Sequence, residues 1–217
     1  MTEQFDCTDP RQREAGIASA ISALKGGRLV VLPTDTVYGI GADAFDNDAV
    51  AALLSAKGRG RDMPVPVLVG SWHTIDGLVY TVPDSARELI EAFWPGALSL
   101  VVRQAPSLQW DLGDAHGTVM LRMPLHPVAI ELLREVGPMA VSSANISGRP
   151  PTVTVADARN QLGDLVEVYL DGGPSEQQAA STIVDLTGAQ PRVLRQGPVT
   201  VEAIAKVLDL EPDSLTD

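Results

Sequence analysis

The 217-residue chain carries 28 Asp and Glu against 16 Lys and Arg, a formal net charge of −12. That balance counts against stable, sequence-independent nucleic-acid binding, which needs a surplus of cations along one face. Hydrophobic and charged contents of 45% and 20% describe an ordinary globular chain with enough length for a substantial core.

The single cysteine, Cys7, excludes an internal disulfide and fits a reducing compartment. No apolar run approaches a membrane span, and Met1-Thr2-Glu3-Gln4 lacks the basic start of a signal peptide, so the expected location is the cytoplasm. In chain order, Thr8-Asp9-Pro10 reads as a helix start, with Asp9 as N-cap and Pro10 at the first helical position. Ile17, Ile21 and Leu24 share one face, and Gly26-Gly27 closes the helix. Leu29 to Leu32 is a buried-strand run that Pro33, with no N–H for a ladder, must end.

Thr34-Asp35-Thr36-Val37-Tyr38 then places two hydroxyls, a carboxylate and a phenol within five residues, closed by Gly39 and Gly41. Such density after a buried strand suits a small polar ligand, with Thr34, Thr36 and Tyr38 as candidate contacts. It equally suits a turn whose threonines satisfy backbone groups. A helix capped by Asp46 runs from about Asn47 to Lys57. Next, Lys57-Gly58-Arg59-Gly60-Arg61 alternates cations with glycines in an otherwise acidic chain. Glycine lets backbone N–H groups approach an anion, so the stretch suggests phosphate; the alternative is a solvated surface loop.

Further strands are expected at Pro66–Val69, Leu98–Arg103, Thr118–Met123, Met139–Val141, Val166–Leu170, Thr182–Leu186 and Arg192–Arg195. Helices are expected at Asp84–Phe93, His126–Val136 and Val155–Leu162, with a last one starting at the cap Thr200. This alternation describes one α/β domain over residues 1–208 with a mixed parallel and antiparallel sheet flanked by helices. Residues 209–217 are acidic, short of core residues and expected to fray.

Several chemistries are excluded by motif. There is no phosphate-loop G-x-x-x-x-G-K-[ST] and no G-x-S-x-G elbow around Ser142, Ser143 or Ser147. Gly39-Ile40-Gly41-Ala42-Asp43-Ala44 begins too far past its strand for a dinucleotide fingerprint. His73, His116 and His126 lack metal-ligand spacing, so no metal ligands are assigned, and His126 reads as a helix-start residue. What recurs is strand ends that deliver hydroxyls and cations, a set suited to binding and charge stabilisation more than to a protein nucleophile.

Pro-Thr-Asp-Thr-Val-Tyr-Gly at 33–39, Lys-x-Arg at 57–59, Ser-Ala-Asn-x-Ser-Gly at 143–148, Ser-Thr-Ile-Val-Asp at 181–185 and Leu-Arg-x-Gly at 194–197 occur in that order. Together they resemble the YrdC-like, threonylcarbamoyl-AMP synthase family across nearly the whole domain. The resemblance implies a twisted mixed sheet around a central basic concavity. It implies an enzyme, a nucleotidyltransferase, that joins L-threonine, bicarbonate and ATP into threonylcarbamoyl-AMP and releases pyrophosphate. The product would pass to a tRNA threonylcarbamoyl-transferase complex, and Mg²⁺ would arrive with ATP. It assigns threonine contacts to Thr36, Arg122, Ser143 and Ser181, beside Thr34 and Tyr38. It assigns Lys57 and Arg59 to the phosphates as the catalytic charges, and Thr118, Ser143, Asn145, Thr152 and Arg195 to the ATP side.

Two departures stand out. Gly60 replaces the proline of the family's Lys-x-Arg-Pro, and Leu68 stands where some members carry a ligand-binding histidine. Longer members add a C-terminal domain, so a chain ending at Asp217 corresponds to the single-domain form. Two other readings stay open, an RNA-binding module and a carbamoyl-transferring enzyme related to hydrogenase maturation.

Overall fold

The computed structural model describes residues 2–216. Ten strands run in chain order as β1 (Glu3–Asp6), β2 (Val30–Leu32), β3 (Gly39–Asp43), β4 (Val67–Leu68), β5 (Leu98–Arg103), β6 (Thr118–Arg122), β7 (Met139–Ser143), β8 (Val168–Asp171), β9 (Thr182–Asp185) and β10 (Arg192–Arg195). They form one sheet in the order β1-β8-β2-β3-β7-β4-β6-β5-β9-β10. Pairing is mixed: β1–β8, β2–β8, β4–β6 and β5–β9 are parallel, and the other pairs are antiparallel.

Seven helices flank the sheet: α1 (Pro10–Lys25), α2 (Asn47–Lys57), α3 (Ile75–Leu78), α4 (Asp84–Phe93), α5 (Pro127–Val136), α6 (Val155–Leu162) and α7 (Val201–Leu208). Asp9 accepts from the N–H groups of Arg11 and Gln12, Asp46 from those of Asp48 and Ala49, and Thr200 from that of Ala203, so each expected cap is in place. Two hydrophobic clusters sandwich the sheet. One joins α1 and α5 to Val30, Leu32, Leu68, Met139, Val141, Val168 and Leu170. The other joins α2, α4, α6 and α7 to the opposite face. The first cluster takes no residue from β5, β6 or β9. That half of the sheet face is left without a helix, and the functional site lies there.

Four features differ from the sequence expectation. Glu3–Asp6 is a strand, paired parallel with β8 at the sheet edge although its burial pattern is almost wholly exposed. Gly39–Asp43 is also a strand, central between β2 and β7. Its glycines make room for the neighbouring strand's side chains: a Cβ at Gly39 would lie 2.6 Å from Val141 Cγ1, and one at Gly41 2.6 Å from the flexible end of Met139, Cε. Trp72–Thr74 and Ile75–Leu78 add a short helical turn that carries little periodic signal. Finally, the acidic tail is ordered through the described residues rather than frayed. Pro212–Leu215 forms a 3-10 turn, Leu215 is fully buried, and Leu210 packs against the same core. Apolar burial at these two positions outweighs the local acidity.

Candidate functional site

The open half of the sheet face holds a cavity of about 260 Å³. Its wall is built from the turn after β2, the ends of β4, β5, β6 and β7, and the segment leading into β9. It contains Thr34, Thr36, Tyr38, Arg59, Arg122, Ser143, Ser181 and Arg195 of the residues assigned from sequence, together with Ser99 and Ser142. Leu68, Pro66, Met120, Val141 and Ile183 are among the apolar residues of the lining. Leu68 therefore presents a hydrocarbon surface to the cavity.

Arg122, at the end of β6, is 6% exposed and anchors one end of the cavity. Its Nε donates to Gly96 O (2.9 Å), Nη1 to Thr36 Oγ1 (2.8 Å) and Nη2 to Asp35 Oδ1 (2.5 Å). Burial pushes the guanidinium below its ordinary value, and the Asp35 carboxylate opposes that shift. Asp35 is itself 2% exposed and also accepts from Leu125 N at 2.9 Å. Thr34 plays the turn role: its hydroxyl donates to Val37 O (2.6 Å) and accepts from Thr36 N (3.2 Å). Thr36 alone presents its hydroxyl to the arginine. The turn reading therefore applies to Thr34, while Thr36 lines the cavity with its hydroxyl against Arg122 and 3.0 Å from Thr34 Oγ1.

The opposite wall comes from two motifs pressed together. Arg195 donates through Nε (3.0 Å) and Nη2 (2.8 Å) to Ser181 O. A bulge at Leu194 shifts the β9–β10 register so that Arg195 pairs with Ile183, which re-aims its side chain. Gly197 permits the contact, since a Cβ there would sit 2.2 Å from Ala180 O. Its N–H donates to Thr182 Oγ1 (2.8 Å), which in turn donates to Val199 O.

Four assigned residues do not line the cavity, and the phenol of a fifth is turned away from it. Lys57 is 2% exposed, and its ammonium donates to the carbonyls of Ser143 and Asn145, the latter at 2.6 Å. Gly58, in the left-handed region at φ 58°, ends α2 and starts the turn that carries Arg59 onward. Asn145 uses its amide N–H groups on Ile146 O and Arg149 O. Thr152 donates to Ala144 O (3.2 Å) and is 1% exposed. These three hold the 143–152 loop in shape behind Ser142 and Ser143. Thr118 shares a strand face with Arg122 but lies in a neighbouring hollow with Pro64, Val65 and Leu112, where it donates to Ala115 O. Tyr38 is fully buried; its phenol donates to Gly173 O (2.6 Å) and accepts from Gly172 N (3.1 Å), so it braces the Gly172–Gly173 turn. Arg59 does face the cavity. It donates to Ser142 Oγ (3.0 Å) and to the carbonyls of Met63 and Pro64.

Sequence reasoning passed over Ser99 and the supporting role of Asp35. Asp35 stands between two assigned threonines as the turn's carboxylate, whereas Ser99 sits between Leu98 and Leu100 with no signal of its own. His126 heads α5 as its N-terminal flanking residue and makes no capping bond with its side chain.

Burial, and secondarily Arg59, push the Lys57 ammonium down to about 8 from 10.5. Between those values the native state holds fewer protons than the unfolded chain, so Lys57 contributes stability that grows as pH rises from about 8 to 10.5. A neutral amine still offers two N–H groups for the two carbonyls, so the bridge persists. Against a Lys57→Met variant, the wild-type melting temperature should gain over this pH window; a constant difference would mean Lys57 keeps its ordinary proton affinity.

Among the described residues no group of three or more His, Cys, Asp or Glu is placed to hold a metal ion, and no helix is long and apolar enough to cross a membrane.

The family model Sua5/yciO/yrdC, described as telomere recombination, matches residues 22–197. A Mycobacterium tuberculosis protein provisionally named threonylcarbamoyl-AMP synthase is 80% identical over 215 residues, 99% of each chain. Threonylcarbamoyl-AMP synthase of Bacillus subtilis is 36% identical over 210 residues, spanning 96% of this chain and 59% of that one. A crystal structure of Pyrococcus abyssi Sua5 complexed with L-threonine superposes with a TM-score of 0.85 at 36% identity, over 88% of this chain and 57% of that one.

Proposed function

This chain belongs to the Sua5/YciO/YrdC family, and from that premise we infer that it makes threonylcarbamoyl-AMP for tRNA modification. The observation that carries this reading locally is the cavity lining, in which three guanidiniums, Arg59, Arg122 and Arg195, meet the hydroxyls of Thr36, Ser143 and Ser181. Such a set binds a carboxylate and phosphates with few covalent options, which suits a reaction between substrates.

In our reading Arg122 takes the threonine carboxylate through the fork edges left by Asp35, Thr36 and Gly96. The neutral threonine amine adds to CO₂ with loss of its proton, or to bicarbonate with loss of water, and so becomes a carbamate. A carbamate oxygen then attacks the α-phosphorus of ATP in line, the bond to the β-phosphate oxygen breaks, and pyrophosphate leaves; this makes the enzyme a nucleotidyltransferase. Arg59 and Arg195 offset the charge that develops on the leaving pyrophosphate. Lys57, Asn145 and Thr152 act from behind by fixing the 143–152 loop. Met120 lines both the cavity and the hollow that holds Thr118, so that hollow extends the site toward the nucleoside.

Magnesium enters as part of the ATP substrate. Among the described residues no carboxylate lines the cavity, which leaves phosphate and water oxygens as the ion's ligands. The product's acceptor would be a separate threonylcarbamoyl-transferring complex, in the cytoplasm. The −12 charge favours a small-molecule site over an RNA groove.

Pyrophosphate release with Mg²⁺, ATP and bicarbonate should depend on L-threonine. Release that is equal with and without threonine would remove this reading.

A further inference from the structure

We propose that Ser99 reads the side-chain hydroxyl of the amino-acid substrate, as one half of a hydroxyl pair with Ser181. The proposal deepens the synthase reading and rests on it.

Ser99 lines the cavity and is 3% exposed. Its Oγ lies 2.8 Å from Ser181 Oγ, and no other protein group bonds it among the described residues. Arg195 Nη2 approaches Ser181 Oγ from the other side at 3.4 Å, a weak contact that occupies one of its lone pairs. Two hydroxyls joined by one hydrogen bond spend one proton between them. Whichever of the two donates, one proton and at least one lone pair remain for a third group. The pair is therefore amphoteric, and its natural complement is another hydroxyl. A methyl group in that place would leave both functions unpaired.

The strand register places this pair at the right separation from Arg122. Leu100 pairs with Leu121 in the antiparallel β5–β6 ladder, so Ser99 stands directly opposite Arg122 on the cavity face. Directly opposed residues have Cβ atoms about 5 Å apart. A short α-amino acid can then reach from the Arg122 fork to the Ser99–Ser181 pair within one molecule. Ser99 also pairs with Ile183 across the parallel β5–β9 ladder, which sets an apolar side chain next to the hydroxyls. A β-carbon bearing both a hydroxyl and a methyl matches that juxtaposition.

The test compares wild type, Ser99→Ala and Ser99→Thr in threonine-dependent pyrophosphate release, with L-valine as a competitor. In Ser99→Ala the threonine KM should rise about tenfold, the loss of one uncharged hydrogen bond. Its kcat and ATP KM should hold, and the valine inhibition constant should stay put or tighten, because valine has no hydroxyl to lose and one group it leaves unpaired is gone. Ser99→Thr keeps the hydroxyl and should return the threonine KM close to wild type. Threonine and valine constants that weaken together would make Ser99 a packing residue, and an unchanged threonine KM would take it out of the site; either overturns the proposal, as does a Ser99→Thr enzyme as weak as the alanine variant. Failure of the synthase reading itself would show in the wild type, as absence of threonine-dependent release before any variant is compared.

Discussion

An Asp35→Ala protein should melt on the order of 10 °C below wild type, and saturating L-threonine should restore more of that loss than it adds to the wild type. Asp35 and Arg122 are an ion pair with side-chain exposures of 2% and 7%. Removing the carboxylate leaves a buried guanidinium held only by Gly96 O and Thr36 Oγ1. Breaking one side of a buried pair typically costs about 3–5 kcal/mol, because the remaining charge is uncompensated. The N–H of Leu125 loses its acceptor as well.

The ligand effect follows from the same electrostatics. If the substrate carboxylate docks on Arg122, it supplies the counter-charge that the variant lacks, and binding is coupled to relief of the penalty. Calorimetry with and without threonine reads this directly; equal threonine shifts in both proteins would place the carboxylate elsewhere. Arg122→Lys is the companion variant. It keeps a charge for Asp35 but gives up the planar fork that serves Gly96, Thr36 and Asp35 at once. The threonine KM should rise by at least about tenfold with the ATP KM unchanged, and an unmoved threonine KM would take Arg122 off the substrate.

Much of the fold could be read from local pattern where burial is strong. β2, β5, β6 and the helices with side-chain caps stand at or near the expected bounds, because apolar runs and capping residues are local signals. β1 and β3 were not legible for opposite reasons. Glu3–Asp6 has one apolar residue, Phe5, packed against the cluster under α1, too little for a strand pattern, and otherwise relies on backbone pairing to β8. Gly-Ile-Gly-Ala-Asp contradicts strand propensity, since its glycines answer to side chains on β7 about a hundred residues away.

The site shows the same division. Residue types at strand ends pointed to anion and hydroxyl recognition, yet which way each side chain turns was invisible. Tyr38 turns toward Gly172 and Gly173, and Lys57 toward two carbonyls of the 143–145 loop, both long-range choices. Ser99 fell within a plain apolar strand, so only the register against β6 reveals it.

The sequence motif treats Lys57 and Arg59 as equivalent phosphate ligands; their surroundings predict three distinct outcomes for Lys57→Ala, Arg59→Ala and Arg61→Ala. Lys57→Ala removes a buried side chain and leaves the carbonyls of Ser143 and Asn145 without their donor. A loss of about 2–4 kcal/mol is expected from the void and the unpaired acceptors. Turnover should fall with it, because Ser143 and Ser142 lose the loop geometry that aims them. Lys57→Met fills the stem's volume but not the donor, and should recover stability in part while activity stays low.

Arg59→Ala should remain folded, since its bonds to Met63 O, Pro64 O and Ser142 Oγ lie at a partly exposed turn. Its cost should fall on the chemical step, with turnover down by about 10²–10³, the usual loss for one preorganised donor at a developing charge. Arg61 pairs at the surface with Asp111 (2.8 Å) and Asp114 (3.4 Å), where water screens the charges, so Arg61→Ala should be near normal in both assays. Melting temperature and pyrophosphate release on the four variants separate these outcomes. An Arg59→Ala enzyme with wild-type turnover would remove the phosphate contact from this loop. A Lys57→Ala protein as stable as wild type would instead mean that the two carbonyls do not need their lysine, leaving the loop to be held by Asn145 and Thr152 alone.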